Sequence, residues 1–456
     1  MPRSDGAAQT AMKTNFYMLS LGCAKNLVNA EQMVYLLEQA GYQKTENPDD
    51  AQVAIVNTCG FIDGAKTEAI DSILELAQYK QAGTLRALVV TGCLAQRYGR
   101  EFEQELPEVD AVCGTGSYHE IVEAVESALS GSRAEKFAPI ECAPLEGRRS
   151  LLTPAYSAYL RIAEGCDNRC AYCVIPSLRG PFRSRRMEDV IAEAHQLAEL
   201  GAKEIIIIAQ DITRFGTDTH GRRMLPELLR EICKIDGIEW VRLHYLYPEE
   251  TDEELLKVCA EEEKILHYFD IPIQHISDSV LRRMNRRGTG KEIRQLIDNI
   301  RRYMPDAVIR TSLIVGFPGE TEEDFSELCE FLEQYRLERA GVFCYSQEEG
   351  TAAAEMEDQI DDLVSERRRE ILYELQERVM DERSSACVGQ TLKVLCTGMD
   401  ERGKLGRSFM DSPDIDGTVI FEGDACEGEF AYVTVTAYEG CDLYGIQTDP
   451  EEEDTL

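Results

Sequence analysis

The sequence predicts an α/β protein in three parts: an N-terminal doubly wound parallel sheet, a central partial barrel of six βα units, and a small C-terminal antiparallel β-barrel. Three observations carry this. Apolar strand-like runs alternate with helical periodicity over 15–130 and again over 156–345. From 388 onwards short β-rich runs broken by Gly and Asp replace that alternation. At 456 residues the chain is also too long for one ordinary domain.

Residues 1–14 are polar and small, without an apolar core, which makes them a disordered N-terminus and not a secretory signal. In the first domain, 15–130, strands fall at Phe16–Leu21, Val53–Asn57, Leu88–Thr91 and Asp110–Cys113, with helices at 26–40, 64–80 and 117–130. Residues 131–155 carry Gly, Ser and Pro with weak periodicity and read as a linker. The central domain, 156–386, places strands at Ala158–Ile162, Glu204–Ala209, Trp240–Tyr245, Phe269–Ile273, Val308–Val315 and Gly341–Tyr345. Helical patterns lie between them at 188–200, 223–235, 251–263, 278–285, 291–303 and 321–335, and a charged helix over roughly 360–386 follows. Six such units fit a partial barrel better than a closed eightfold one. The last domain, 387–448, has strands at Thr391–Cys396, Asp416–Phe421, Phe430–Ala437 and Leu443–Thr448, and 449–456 is an acidic tail.

The chain carries 48 Lys+Arg against 84 Asp+Glu, a net charge of −36. Such a surface repels polyanions at long range, which argues against a nucleic-acid partner and towards a basic protein partner or simple solubility. Residues 381–456 alone hold 18 acidic and 5 basic residues, a net charge of −13. No stretch of eighteen apolar residues occurs, so no membrane span is expected. Sixteen unevenly spaced cysteines in a leaderless chain suggest a reducing, cytoplasmic setting in which clustered thiols bind metal or do redox chemistry.

The strongest signal is Cys166-Asp-Asn-Arg-Cys170-Ala-Tyr-Cys173, which begins just after the first barrel strand. Catalytic groups on such barrels sit at the C-terminal strand ends. Iron–sulfur cubes usually take four cysteines; three in one tight loop leave an iron open for a cofactor. A zinc knuckle is the alternative for these thiols. Cys23, Cys59 and Cys93 form a second set. Each ends a strand, in Leu-Gly-Cys, Asn-Thr-Cys-Gly and Thr-Gly-Cys, with separations of 36 and 34 residues. Strand ends of a parallel sheet share one edge, so these thiols can converge. Cys113 also ends a strand, and spacing alone leaves a four-cysteine site open.

The central run resembles the signature of the radical S-adenosylmethionine superfamily, in which the open iron chelates the methionine end of the cofactor. Tyr172 occupies that family's aromatic position. Over about 15–448 the chain looks like a methylthiotransferase, with an N-terminal cluster domain, a radical S-adenosylmethionine barrel of TIM type and a small OB-like TRAM domain. The resemblance implies two 4Fe-4S clusters, the auxiliary one on Cys23, Cys59 and Cys93 and the radical one on Cys166, Cys170 and Cys173. It leaves Cys113 out. Cys142, Cys233, Cys259, Cys329, Cys344, Cys387, Cys396, Cys426 and Cys441 are read as structural. S-adenosylmethionine is implied twice, as methyl donor and as radical source.

Within that family the local sequences are similar to the branch that modifies an aspartate β-carbon in small-subunit ribosomal protein twelve, not to the branch that modifies tRNA adenosine. The carriers are Leu21-Gly-Cys-Ala-Lys-Asn-Leu27, Asn57-Thr-Cys-Gly-Phe-Ile-Asp63, Glu164 to Pro181, Pro272-Ile-Gln-His-Ile-Ser277, and Gly406-Arg-Ser408 with Asp414-Ile-Asp-Gly417. The implied partners are that basic protein, free or in the ribosomal subunit, a reductant such as flavodoxin or ferredoxin, and a sulfur donor.

Other residues fall on the same rim. Gly316 and Glu320, in Gly-Phe-Pro-Gly-Glu after the fifth strand, are cofactor-binding candidates; a plain strand-to-helix turn is the alternative. Gln210, Gln274 and His275 follow strands two and four and offer polar groups to cofactor or substrate. Arg179, Arg183, Arg185 and Arg186 follow the cysteine loop, with Arg183 and Arg185 as candidates for a substrate carboxylate. A second basic group, Arg282, Arg283, Arg286 and Arg287, is read as structural.

Overall fold

The computed structural model describes residues 14–449, so the expected N-terminal and acidic tails, Thr14 and Asp449 apart, lie outside the described residues. The chain divides into two compact units. The first comprises residues up to Leu152 together with Ile175–Pro181; the second comprises Thr153–Val174 and the chain from Phe182 onwards.

In the first unit the order is β1 (Asn15–Ser20), α1 (Ala24–Gln39), β2 (Gln43–Thr45), β3 (Val53–Thr58), α2 (Asp63–Gln81), β4 (Ala87–Gly92), α3 (Cys93–Tyr98), α4 (Phe102–Glu105), β5 (Ala111–Cys113), α5 (Ile121–Leu129), β6 (Ala134–Lys136) and α6 (Ile175–Arg179). The sheet runs β2-β1-β3-β4-β5-β6, parallel throughout. Its alternate residues feed two cores. Phe16, Val53, Ile55 and Val89 meet α1 and α5, while Ala54, Val56, Leu88 and Val90 meet α2 and α3. Burial on both faces is why β3 and β4 read as continuous apolar runs. The chain winds outward in opposite directions from β1 and β3, which opens a crevice at their carboxyl ends. Two edge strands were not expected. β2 and β6 are three residues each, too short for a period, and β6 lies within the stretch read as linker.

The second unit contains β7 (Ser157–Arg161), β8 (Ala163–Glu164), β9 (Arg183–Ser184), α7 (Met187–Glu199), β10 (Glu204–Ile208), α8 (Thr217–His220), α9 (Leu225–Cys233), β11 (Trp240–Leu243), α10 (Glu253–Glu261), β12 (Ile265–Asp270), α11 (Asp278–Arg283), α12 (Gly290–Tyr303), β13 (Val308–Val315), α13 (Glu322–Tyr335), β14 (Arg339–Cys344) and α14 (Asp362–Cys387). Its parallel sheet follows chain order, β7-β10-β11-β12-β13-β14. The fourth strand starts four residues before the expected Phe269–Ile273. Pro272 explains why the strand stops at Asp270 and not at Ile273, since proline has no N–H for a ladder.

Five further strands, β15 (Thr391–Asp400), β16 (Gly403–Arg407), β17 (Val419–Glu422), β18 (Phe430–Glu439) and β19 (Asp442–Thr448), close into a barrel. β17 and β19 pair in parallel; the other neighbours are antiparallel. This barrel packs on the amino-terminal ends of the central strands. Trp240, Leu266, Tyr268 and Val308 share a core with Leu395, Phe409, Met410 and Phe430. Buried polar pairs lie beside that core. Glu204 accepts from Arg242 Nε at 2.9 Å and from Arg407, and Tyr268 donates to Asp416 at 2.6 Å. Burial opposes ionisation of Glu204, but the two guanidiniums outweigh it and hold its pKa at about 2.

Candidate functional site

The carboxyl edge of the first sheet gathers Cys23, Cys59 and Cys93. Cys23 is the residue before α1, Cys59 follows β3, and Cys93 opens α3 directly after β4. Glycines let these turns touch. A Cβ on Gly22, whose φ is +86°, would lie 2.7 Å from Cys59 Cβ and 3.1 Å from its sulfur. One on Gly60 would lie 2.8 Å from the Leu94 backbone. Asn26 ties the strand ends together, donating to Leu21 O at 3.0 Å and to Thr58 O at 2.8 Å. Asn57 donates back to Asn26 O at 2.7 Å. The thiols feel one another. Burial first, then the Cys93 and Cys23 sulfurs, push the Cys59 pKa up to about 11. Burial also opposes ionisation of Cys23, yet Lys25, Arg179 and the backbone N–H groups of Asn26 and Lys25 bring it below the ordinary thiol value. Cys113 is fully buried in the apolar core on the α1–α5 face.

The second trio lies at the carboxyl edge of the six-stranded sheet, in the loop after β8. Polar clamps pin this loop. Asn168 donates to Asp211 at 2.8 Å and accepts from Arg287 at 3.0 Å; Ala171 N–H reaches Met284 O at 2.9 Å; Asn285 donates to Arg169 O at 2.6 Å. The basic group at 282–287 thus braces the cysteine loop. Arg286 goes further. Its guanidinium stacks 3.9 Å from the Tyr247 ring centroid and approaches the Cys170 sulfur at 4.0 Å, while the Tyr247 hydroxyl lies 3.3 Å from that sulfur. Burial, followed by Asp211 and Cys170, pushes the Cys166 thiol up to about 11. Tyr172 packs edge-on against Phe317, with ring centroids 6.5 Å apart.

The remaining candidates separate by what holds them. Gln210 donates to Glu164, two residues before Cys166. Gln274 has φ +73° and bridges to Leu313 at the strand ends. Gly316 allows a close approach within the chain: a Cβ there, at φ +73°, would collide with Ser365 of α14. Glu320 is 2 % exposed and accepts from the N–H groups of Gly316 and Phe317, with Arg368 at 3.4 Å and His275 at 3.6 Å. Arg185 is buried against Glu193 at 2.5 Å and donates to Arg161 O, whereas Arg183 is half-buried on β9. Lys25, Asn26 and Tyr247 were not singled out by sequence, and Arg286 was named only within a basic group read as structural. Lys25 and Asn26 stand beside Cys23 in the same motif, which was their signal; Tyr247 had none.

Both trios suit an iron–sulfur cube. Each offers three soft thiol donors and no fourth cysteine, on turns held by backbone contacts or hydrogen bonds. Among the described residues no three His, Cys, Asp or Glu side chains gather as they would around a single ion; a cube with ligands at its corners does not require that. None of the sixteen cysteines is in a disulfide.

Comparison with known proteins agrees part by part. Residues 160–332 match the Radical SAM superfamily, 15–114 the Uncharacterized protein family UPF0004, and 388–447 the TRAM domain. A protein of Lachnoclostridium phytofermentans, "Ribosomal protein uS12 methylthiotransferase RimO", is 48% identical over 94% of this chain and 99% of its own length. Proteins of the same name from Acetivibrio thermocellus and Geobacter sulfurreducens are 47% and 48% identical, each over 95% of this chain and 98% of theirs. Among solved structures, the radical S-adenosylmethionine methyltransferase TsrM from Kitasatospora setae, with cobalamin and a [4Fe-4S] cluster bound, shares the fold with a TM-score of 0.54 at 16% identity. That match covers 73% of this chain and 75% of TsrM.

Proposed function

The chain belongs to the RimO family of radical S-adenosylmethionine methylthiotransferases, and we propose that it places a methylthio group on the β-carbon of an aspartate in ribosomal protein uS12. As a member of that family it uses an iron–sulfur cluster and S-adenosylmethionine. We assign two 4Fe-4S clusters, one to Cys23, Cys59 and Cys93 and the other to Cys166, Cys170 and Cys173. The observation that carries the reading is this pair of trios, each at the carboxyl edge of a parallel sheet, in a chain matched almost end to end by uS12-modifying relatives.

The target carbon is an unactivated aliphatic one, beyond the reach of any side-chain base. Bound in this chain, the clusters and S-adenosylmethionine supply hydrogen-atom abstraction and the methyl group that travels with sulfur. The protein's part is to hold and orient. Three thiols leave one coordination position for the cofactor's methionine end. Tyr172, within the cysteine loop, and Gln210 and Gln274, after β10 and β12, are assigned to the cofactor. Gly316 and Glu320 support them by shaping the turn after β13. Arg183, the less buried of the two candidate arginines, is assigned to the substrate carboxylate. The C-terminal part, at −13, suits a strongly basic ribosomal protein, free or in the subunit. A low-potential protein such as flavodoxin or ferredoxin supplies electrons in the cytoplasm, and a separate donor supplies sulfur.

The test is anaerobic reconstitution followed by iron and sulfide counting. The protein is then assayed with S-adenosylmethionine, reductant, sulfide and purified uS12, with tRNA in parallel, and read by mass spectrometry. About eight irons per chain and a methylthio mass gain on a uS12 aspartate are expected. The gain on tRNA adenosine instead would move the chain to the tRNA-modifying branch. About four irons, lost in Cys166→Ala but kept in Cys59→Ala, would remove the auxiliary cluster.

A further inference from the structure

Six residues after Cys173 the chain delivers a cation to the other trio. Arg179 ends α6 and is 3 % exposed. Its Nη2 donates to the Cys93 sulfur at 3.4 Å and to the side-chain oxygen of Asn26. Asn26 cannot turn that oxygen away without loss, because its amide nitrogen is committed to Leu21 O and Thr58 O. The short helix is fixed in the same unit. Thr115 Oγ1 donates to Leu178 O at 2.6 Å, and Gly180 lies close enough to Ile140 that a Cβ would fall 3.2 Å from Ile140 Cγ2. The guanidinium is therefore buried, hydrogen-bonded and held at one cysteine of the trio.

A buried cation beside ligand sulfur has a definite electrostatic effect. An N–H directed at sulfur and a nearby positive charge both favour the more negative, reduced state of an iron–sulfur centre. In a chain of net charge −36, Arg179 sets a buried positive charge directly at a ligand sulfur. On the reading that Cys23, Cys59 and Cys93 hold a cluster, we propose that Arg179 is a positioning residue that raises the reduction potential of this cluster through its hydrogen bond to Cys93. The stretch from Cys166 to Arg179 then serves both centres, furnishing the ligands of one and the electrostatic setting of the other.

The experiment uses the reconstituted full-length protein, with iron counting and a one-electron reductive titration by dithionite followed by electron paramagnetic resonance. The triple variant Cys166→Ala, Cys170→Ala, Cys173→Ala identifies which signal belongs to the N-terminal cluster. Arg179→Gln is expected to keep about eight irons and to lower the reduction equilibrium of that cluster about tenfold, about 59 mV for a one-electron couple. The other cluster's potential stays where it is, and Arg179→Lys recovers part of the loss by restoring the charge. Unchanged potentials in both variants would overturn the proposal, as would loss of the cluster from both, which would make Arg179 a residue of assembly. If only Arg179→Gln fails to hold iron, Arg179→Lys decides: a lowered potential supports the role and an unchanged one overturns it. A wild-type protein with about four irons, indifferent to Cys59→Ala, would remove the cluster itself and the role with it, an outcome distinct from all the others.

Discussion

A methyl group at position 60 has nowhere to go. Its nearest neighbours would be backbone atoms of Leu94 at 2.8 Å, in the turn that carries Cys93. Backbone cannot swing aside as a flexible side chain does. Gly60→Ala is therefore expected to part the Cys59 and Cys93 turns, cost about 1–3 kcal/mol, and reduce reconstituted iron from about eight to about four per chain. Denaturant titration and iron counting check the two halves. At this scale the six cysteines were legible, because each ends a strand or fills a loop whose spacing is written in consecutive residues. Tyr247 and Arg286 were not. They lie 77 and 116 positions from Cys170, and only folding brings them to its sulfur.

Elements show the same division between local pattern and tertiary packing. β13 spans the residues expected of it, Val308–Val315, and α13, Glu322–Tyr335, starts within one residue of expectation because Thr321 and Asp324 form a capping box. β16 was missed, since Gly403-Lys-Leu-Gly-Arg407 carries too few apolar residues to register. Gly316 also answers to packing, for it makes room for α14. Gly316→Ala is expected to destabilise the protein by about 1–3 kcal/mol without any cofactor present. Adding Ser365→Gly should recover part of that loss in urea; no recovery would mean that α14 does not impose the glycine. Glu204 gives a pH prediction for β10. Its folded pKa, about 2, lies below the ordinary 4.5, so its contribution is complete above about pH 4.5 and is lost as the pH falls towards 2. Glu204→Gln leaves Arg242 and Arg407 buried without their anion, for a cost of about 3–5 kcal/mol. Urea midpoints at pH 7 and pH 3 should differ less in the variant than in the wild type.

At the scale of the molecule, the α/β class and its three-part order were readable because βα alternation and its sudden end are long-range features of composition. The bond between barrel and small C-terminal domain was not. The stretch from Arg407 to Asp416, read as a mark of one family branch, supplies the buried contacts to Glu204, Arg242, His244 and Tyr268. Truncation after Cys387 would uncover Trp240, Leu266 and Tyr268 at the foot of the barrel. Such a fragment should aggregate or bind a hydrophobic dye, measured by light scattering and fluorescence; a monomeric, cooperatively folding fragment would show that the small domain is a mere appendage. Among the described residues no helix is long and apolar enough to cross a membrane.

Ile175–Pro181 belongs to the first compact unit although its flanks belong to the second. That membership sets an order of events during synthesis. Most of the first sheet can form early on the ribosome, but Arg179 emerges only after the cysteine loop has been made. At about 5–20 residues per second, the interval between Cys93 and Arg179 leaves the nascent N-terminal thiols several seconds without their guanidinium. A cell that loads iron during translation would meet the first trio in one electrostatic state and release it in another.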